Sequence, residues 1–324
     1  MTADWTTTKR TKVLVGSFIV SVFLFFLAGK LFYMHHVNCP PHPAVSVDRT
    51  LAVADDKDFG RVMGIGMRRH LPSALIIGVQ KSGTGALLKM LNMHPDIQIS
   101  QKEVHFFDQD ENYSRGAEWY RRQMPLSYPS QITIEKTPGY CDSEIAPERI
   151  AFMKPDMKIL VIVREPTTRA ISQYVHILLN MQERNIPYDS FEKYAVPEGY
   201  VDTNYKCIKR SMYINFLQRW LAIFPRDQIH IVDGDKLITN PAYELKKVET
   251  FLGLKQLITE DNFYFNKTRG FYCMINGPTR SCLQKSKGRK HPDVDPMVID
   301  VLHDFFRPFN KRFQEVFNLK FDWP

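Results

Sequence analysis

Apolar residues fall into three patterns along the chain. The first is a block. Residues 13–29 are 17 positions without a charge, rich in Val, Phe, Leu and Ile; Lys30 interrupts the block and residues 31–34 extend it. At ~1.5 Å per residue this sits at the short end of what crosses a bilayer, with Lys30 reaching back to the interface. Lys9, Arg10 and Lys12 precede the block and only Lys30 closely follows it. A retained anchor would therefore leave the N-terminus cytoplasmic and the bulk of the chain lumenal. A cleaved signal peptide is the competing reading, but the block is long for that and no clear small-x-small site follows it. Residues 35–70 are rich in Pro, His, Asp and Arg without periodicity, which predicts a stem. The expected divisions are a cytoplasmic tail over 1–12, a transmembrane signal-anchor over 13–34, a stem over 35–70 and a lumenal domain over 71–324.

The other two patterns alternate through that domain. Short apolar runs predict strands over 74–79, 132–135, 158–163 and 229–232. Helical spacing predicts helices over 86–93, 167–179, 212–224, 242–252 and 298–317. Asn240 and Pro241 open the fourth as cap and first residue, and Pro308 predicts a bend or break in the last. Strand alternating with helix predicts an α/β fold: one domain with a mainly parallel central sheet flanked by helices.

The composition is that of a globular protein, with 44% hydrophobic and 24% charged residues among 324. Disordered and collagen-like classes are excluded for most of the chain. A net charge of +8 points to a polyanionic partner without choosing among nucleic acid, acidic lipid and acidic polysaccharide. Five cysteines do not make a disulfide scaffold. Cys273 and Cys282 enclose the turn signal Asn276-Gly-Pro278. They read as a short disulfide-closed loop in an oxidising lumen, or as two free thiols in a cytosolic protein. Cys39, Cys141 and Cys207 have no obvious partner, and no spacing suggests zinc. Two sequons, at Asn112 and Asn266, are glycosylation candidates that agree with a lumenal chain.

The strongest chemical signal is a strand that enters a loop with glycines at 78, 83 and 85, followed by a helix. Backbone N–H groups at such a helix start form an anion site that glycine lets a phosphate approach, and Lys81 adds a point charge. The bland alternative is a plain turn. Gly78 and Gly83 match the G-x-x-x-x-G of a nucleotide-kinase loop, yet Thr84 stands where that loop has its lysine. The usual β/γ-phosphate contact is missing, and a nucleotide without a γ-phosphate remains.

After this lysine-first loop come Glu103-Val-His-Phe-Phe-Asp108, Ile134-Glu-Lys-Thr-Pro138, Val163-Arg-Glu-Pro166, Ser286-Lys-Gly-Arg289 and Phe321-Asp-Trp323. In that order, over roughly residues 72–324, they resemble the heparan sulfate glucosamine 3-O-sulfotransferases. The resemblance implies a P-loop-like nucleotide-binding fold on a single-pass type II protein of the Golgi membrane. It implies sulfuryl transfer from 3′-phosphoadenylyl sulfate to the glucosamine 3-hydroxyl of heparan sulfate. Lys81, Ser82, Gly83, Thr84 and Gly85 would hold the 5′-phosphosulfate, and Arg164 and Ser172 the 3′-phosphate. Tyr272, Lys287, Gly288, Arg289, Lys290 and His291 would add donor contacts on a loop fixed by a Cys273–Cys282 bridge. Glu103 would be the general base. His105 and Lys136 would line the reacting centre, and Asp108, Lys136 and His176 would face the acceptor.

The chemistry explains these residue types. A hydroxyl is a poor nucleophile at neutral pH, so a base must take its proton. Lys81 and Lys136 would stabilise the charge on the transferring group, as in phosphoryl transfer. The resemblance calls for neither a metal nor a nucleic-acid partner. Taken alone the same residues read differently. Glu103 in Lys-Glu-Val is a solvated acid, His105 is structural, Arg164 pairs with Glu165 or another surface acid, and 287–291 is a solvated basic loop. A strand over 103–105 would put Glu103 and His105 on one face. Arg121, Arg122, Lys206, Lys209, Arg210 and Lys285 are candidates for a polyanion cleft.

The chain departs from the family pattern at three positions. Gln80 and Gly85 stand where arginines are usual, and His176 where a glutamine is expected. Retained chemistry with altered acceptor recognition follows. Three other readings stay open: a different glycan acceptor, a catalytically weak heparan-sulfate-binding protein, and, against the missing P-loop lysine, a nucleotide kinase.

Overall fold

A computed structural model of the chain describes residues 66–284 and 288–324. The expected tail, anchor and most of the stem, with Cys39, lie outside the described residues, as do Lys285, Ser286 and Lys287. Among the described residues no helix is long and apolar enough to cross a membrane.

After β1 (Arg68–Arg69) the chain enters β2 (Ala74–Gly78), α1 (Thr84–Leu91) and β3 (Ile97–Ile99). Two short helices, α2 (Asp110–Tyr113) and α3 (Gly116–Arg122), lead through β4 (Leu126–Ser127) to β5 (Ile132–Lys136). Next come α4 (Ala146–Met153), β6 (Lys158–Val163), the long α5 (Pro166–Glu183), α6 (Phe191–Ala195), α7 (Lys206–Lys209) and α8 (Tyr213–Ile223). They are followed by β7 (Ile229–Asp233), α9 (Gly234–Thr239) and α10 (Pro241–Leu252). The strands β8 (Phe263–Asn266), β9 (Phe271–Asn276) and β10 (Thr279–Ser281) precede α11 (Pro296–Phe317).

Five strands form a parallel sheet in the order β3-β5-β2-β6-β7. Both faces are buried, which is why these strands read as continuous apolar runs. Leu75, Ile159, Val161 and Ile229 face α4, α8 and the end of α11. Ala74, Ile76, Leu160 and Ile162 face α1 and α10. Side-chain caps set the helix starts. Glu165 accepts from the amides of Thr167 and Thr168 at 2.7 and 2.6 Å, with Pro166 as the first helical residue. Asn240 caps α10 through the amide of Tyr243.

Two expectations are corrected. Residues 103–105 form no strand, and the amides of Val104 and His105 are taken by side chains instead of a sheet edge. The last helix is not broken: α11 starts at Pro296, capped by Asp295, and contains Pro308 within its length. The antiparallel sheet β8-β9-β10 was not anticipated. Arg68 and Arg69, at the end of the expected stem, already pair with β4.

Candidate active site

The sheet order places the site. From β2 the chain goes first to β3 and β5 on one side, then crosses to β6 and β7 on the other. The carboxyl end of β2 is therefore the switch point where open α/β sheets bind ligands. Three adjacent strand ends meet there. The loop after β2 carries Lys81, β5 ends at Lys136, and Arg164 follows β6. All three line a cleft of about 670 Å³.

The loop geometry is specific. Gly83 caps α1 with φ 113°, and its carbonyl accepts from the amides of Ala86 and Leu87 at 2.9 and 3.0 Å. That backbone region is close to glycine-only. Lys81 also has positive φ, 75°, a conformation that costs energy and concentrates at binding sites. The Ser82 hydroxyl is buried beside that of Tyr213 without forming a proper hydrogen bond to it. Amides at the start of α1, a lysine and an unsatisfied hydroxyl together suit a phosphate or sulfate oxygen.

The rest of the cleft suits a nucleotide. Arg164 donates from Nε to Asp235 Oδ1 at 2.9 Å, and Glu165 N donates to the other carboxylate oxygen at 2.8 Å. The acid that holds Arg164 is thus Asp235, while the Glu165 side chain is committed to its cap. Ser172 and His176 line the cleft from α5, and Tyr272, Gly288, Arg289 and His291 from the far side. Arg289 Nη1 stands 3.4 Å from His176 Nδ1. Burial, then the charges of Arg164 and Lys81, holds the His291 imidazole below its usual range. Lys290 is exposed and does not line the cleft. The expected Cys273–Cys282 disulfide is formed, while Cys141 and Cys207 are buried thiols.

At the other end stands Glu103. Its Oε1 is ion-paired with Lys136 Nζ, and its Oε2 lies 3.9 Å from His105 Nε2. Both Glu103 and Lys136 line the cleft. His105 Nδ1 contacts Asp108 Oδ2 at 2.9 Å. Neither His105 nor Asp108 lines the cleft: His105 stands beside Glu103, and Asp108 stands behind His105. The histidine adopts φ 51°.

Glu135, beside Lys136 on β5, is fully buried. Burial pushes its carboxyl up to about 7, against hydrogen bonds from Thr137, Val104, Tyr140 and Tyr120 that pull the other way. Of the proposed polyanion contacts, Arg121 and Arg122 bind Glu118 on their own helix. Arg210 holds Asp142 and donates to Gln80 Oε1 at 2.6 Å. Both sequon asparagines are hydrogen-bonded: Asn266 Oδ1 accepts from the Arg269 amide, and Asn112 Nδ2 donates to the carbonyls of Val104 and His105. Sequence reasoning missed Asp235, Glu135 and the apolar end of the cleft at Leu237, Phe271 and Leu283. The nearest available signal was Tyr272 beside Cys273.

Comparison with known proteins gives a consistent picture. Residues 71–317 match the Sulfotransferase domain family. Heparan sulfate glucosamine 3-O-sulfotransferase 5 of Mus musculus is 52% identical over 259 residues, covering 79% of this chain and 75% of that protein. Heparan sulfate glucosamine 3-O-sulfotransferase 6 of Homo sapiens is 44% identical over 261 residues, with the same two coverages, 79% and 75%. A sulfotransferase crystal structure from Alicyclobacillus acidocaldarius aligns with a TM-score of 0.58 at 21% identity, covering 78% of this chain and 98% of that one. That last likeness speaks to the fold.

Proposed function

The chain belongs to the heparan sulfate glucosamine 3-O-sulfotransferases, and on that premise we propose that Glu103 is the general base of sulfuryl transfer to the glucosamine 3-hydroxyl of heparan sulfate. The observation that carries this reading is the Glu103–Lys136 ion pair at the rim of an anion-binding cleft.

When bound, 3′-phosphoadenylyl sulfate supplies the sulfuryl group and leaves as 3′-phosphoadenosine 5′-phosphate. Lys81, the buried Ser82 hydroxyl and the amides at the start of α1 fit its 5′-phosphosulfate. Arg164 and Ser172 fit its 3′-phosphate, with Tyr272, Gly288, Arg289 and His291 closing the far side. Glu103 accepts the hydroxyl proton as the oxygen attacks. Lys136 fixes the Glu103 carboxylate and sets its ammonium where negative charge develops, and Lys81 sets a second ammonium there from the adjacent strand end. His105, held by Asp108, borders the second oxygen of Glu103. His176 and the Gln80 amide face the acceptor side of the cleft, in place of a cation at position 80.

The same reading puts the domain in the Golgi lumen behind a signal-anchor over 13–34, as a type II protein. The uncharged block, the basic residues before it and the Cys273–Cys282 bridge support this. Protease protection of the domain in intact Golgi vesicles tests it, and digestion by protease added outside would reject it.

For the reaction, the full-length chain is incubated with labelled 3′-phosphoadenylyl sulfate and heparan sulfate, and the product is cut to disaccharides. Label at the glucosamine 3-hydroxyl is expected. Label at another position would overturn the acceptor assignment, and donor binding without transfer would favour a binding protein.

A further inference from the structure

Residues 103–105 carry the base and its histidine but belong to no helix or strand. Something else must hold their backbone, because each buried amide and carbonyl needs a partner. The amides are taken from below. Val104 N donates to Glu135 Oε1 at 3.3 Å, His105 N to Thr137 Oγ1 at 3.3 Å, and Phe106 N to the Tyr140 hydroxyl at 3.0 Å. Thr137 Oγ1 donates in turn to Glu135 Oε1 at 2.5 Å, and Tyr120 donates to Oε2 at 3.3 Å.

The carbonyls are taken from above by one side chain. Asn112 Nδ2 donates to Val104 O and to His105 O, both at 3.2 Å, and meets Gln109 Oε1 at 3.1 Å. Asn112 sits on α2, which is itself clamped. Arg149 of α4 binds Asp110 Oδ1 at 2.5 Å and the Phe107 carbonyl at 3.2 Å, and lies 4.2 Å over the Tyr113 ring. The Tyr113 ring also packs 5.3 Å from Phe106. The amide that spans the two carbonyls thus projects from a fixed platform.

We infer that Asn112, in its unmodified form, is a positioning residue that straps the Glu103–His105 segment into its reactive geometry. The inference deepens the functional reading above and rests on Glu103 being the base. Asn112 also opens the sequon Asn112-Tyr113-Ser114. Its nitrogen has two hydrogens for three acceptors, the Val104 and His105 carbonyls and Gln109 Oε1. An attached glycan would leave one hydrogen for all three, so the two carbonyls could not each keep a donor. The strap and the glycan exclude each other.

Three substitutions in the full-length chain, made in a glycosylation-competent host, separate the two roles. Asn112→Ala deletes the donors, and Asn112→Asp keeps the shape but offers only acceptors. Ser114→Ala destroys the sequon and leaves the amide, since the Ser114 hydroxyl only caps the Glu111 carbonyl on the surface. The readouts are kcat, acceptor KM, the Kd of 3′-phosphoadenosine 5′-phosphate, and peptide mapping of Asn112. Both Asn112 variants are expected to lose about tenfold or more in kcat, since small misplacements of a reacting group are costly. Nucleotide Kd should stay within about twofold, and Ser114→Ala should keep the wild-type rate. The inference is overturned by full activity in Asn112→Ala, or by an equal loss in Ser114→Ala. It is also overturned by nucleotide affinity falling in step with kcat, or by a glycan on Asn112 of the active protein. If Glu103→Gln keeps wild-type activity, the base assignment itself fails and the strap fails with it. If Glu103→Gln is dead and Asn112→Ala is not, only the strap fails.

Discussion

Asp108 Oδ2 meets His105 Nδ1 at 2.9 Å, so the ring's other nitrogen is turned to Glu103, 3.9 Å away. A carboxylate offers only acceptors, so Nδ1 carries the proton and the ring cannot flip without losing this bond. Asp108→Asn should leave nucleotide binding intact and lower kcat by roughly 10²-fold, the scale expected when an orienting contact is lost. Steady-state kinetics with a parallel nucleotide titration check the split.

Gly139 lies against the same pair. A Cβ there would stand 2.6 Å from Asp108 Oδ2 and 3.4 Å from His105 Cε1. Gly139→Ala must therefore displace the Asp108 carboxylate. We expect a stability loss of about 1–3 kcal/mol from overpacking and a fall in kcat larger than that loss explains. Thermal melts and kinetics on one preparation decide whether the second effect is present.

Glu135 gives the fold a pH dependence of definite sign. Its carboxyl titrates near 7 in the folded protein against an ordinary value of 4.5. Between these values the folded state holds a proton that the unfolded chain has released. The group's contribution is complete below the lower value and is lost as pH rises through the upper one. The melting temperature should fall from pH 5 to pH 7 more steeply in wild type than in Glu135→Gln. Parallel slopes would contradict the assignment.

His291 predicts a proton uptake. Burial and the cations Arg164 and Lys81 disfavour its protonation in the free protein. An anion bound beside those cations removes their repulsion and raises the imidazole's affinity for a proton. Relative to His291→Gln, which subtracts the ligand's own titration, wild-type affinity for 3′-phosphoadenosine 5′-phosphate should increase as pH falls from 7.5 to 6. Calorimetry in buffers of different ionisation enthalpy measures the proton directly.

The parts of this site that are legible in the sequence are local. A buried parallel strand is a short apolar run, so β2, β5, β6 and β7 could be placed, and the glycines after β2 marked the turn they build. The antiparallel sheet that carries Tyr272 was not legible, because β10 is exposed throughout and β8 mixes buried, half-buried and exposed positions without a clean alternation. Asp235 is 71 residues from the arginine it orients, and such a pairing has no local signature. Glu103 and His105 were expected to share a face through strand alternation. They do meet, but through a left-handed histidine and a cradle of side chains, which no period records. Asn112 carried a surface signal, the sequon, while its amide points inward. The resemblance supplied the roles of Lys136 and of Glu103, which alone reads as a solvated acid, whereas the loop around Lys81 already read as an anion site.

The central claim is that Glu103 takes the proton at a cleft that already holds the donor. Single-turnover sulfation of heparan sulfate by wild type and Glu103→Gln, with nucleotide affinity measured on the same samples, tests it most directly. The account predicts unchanged affinity and a loss of at least about 10²-fold in the transfer step, within the range of a general base. Transfer at the wild-type rate by Glu103→Gln would contradict it.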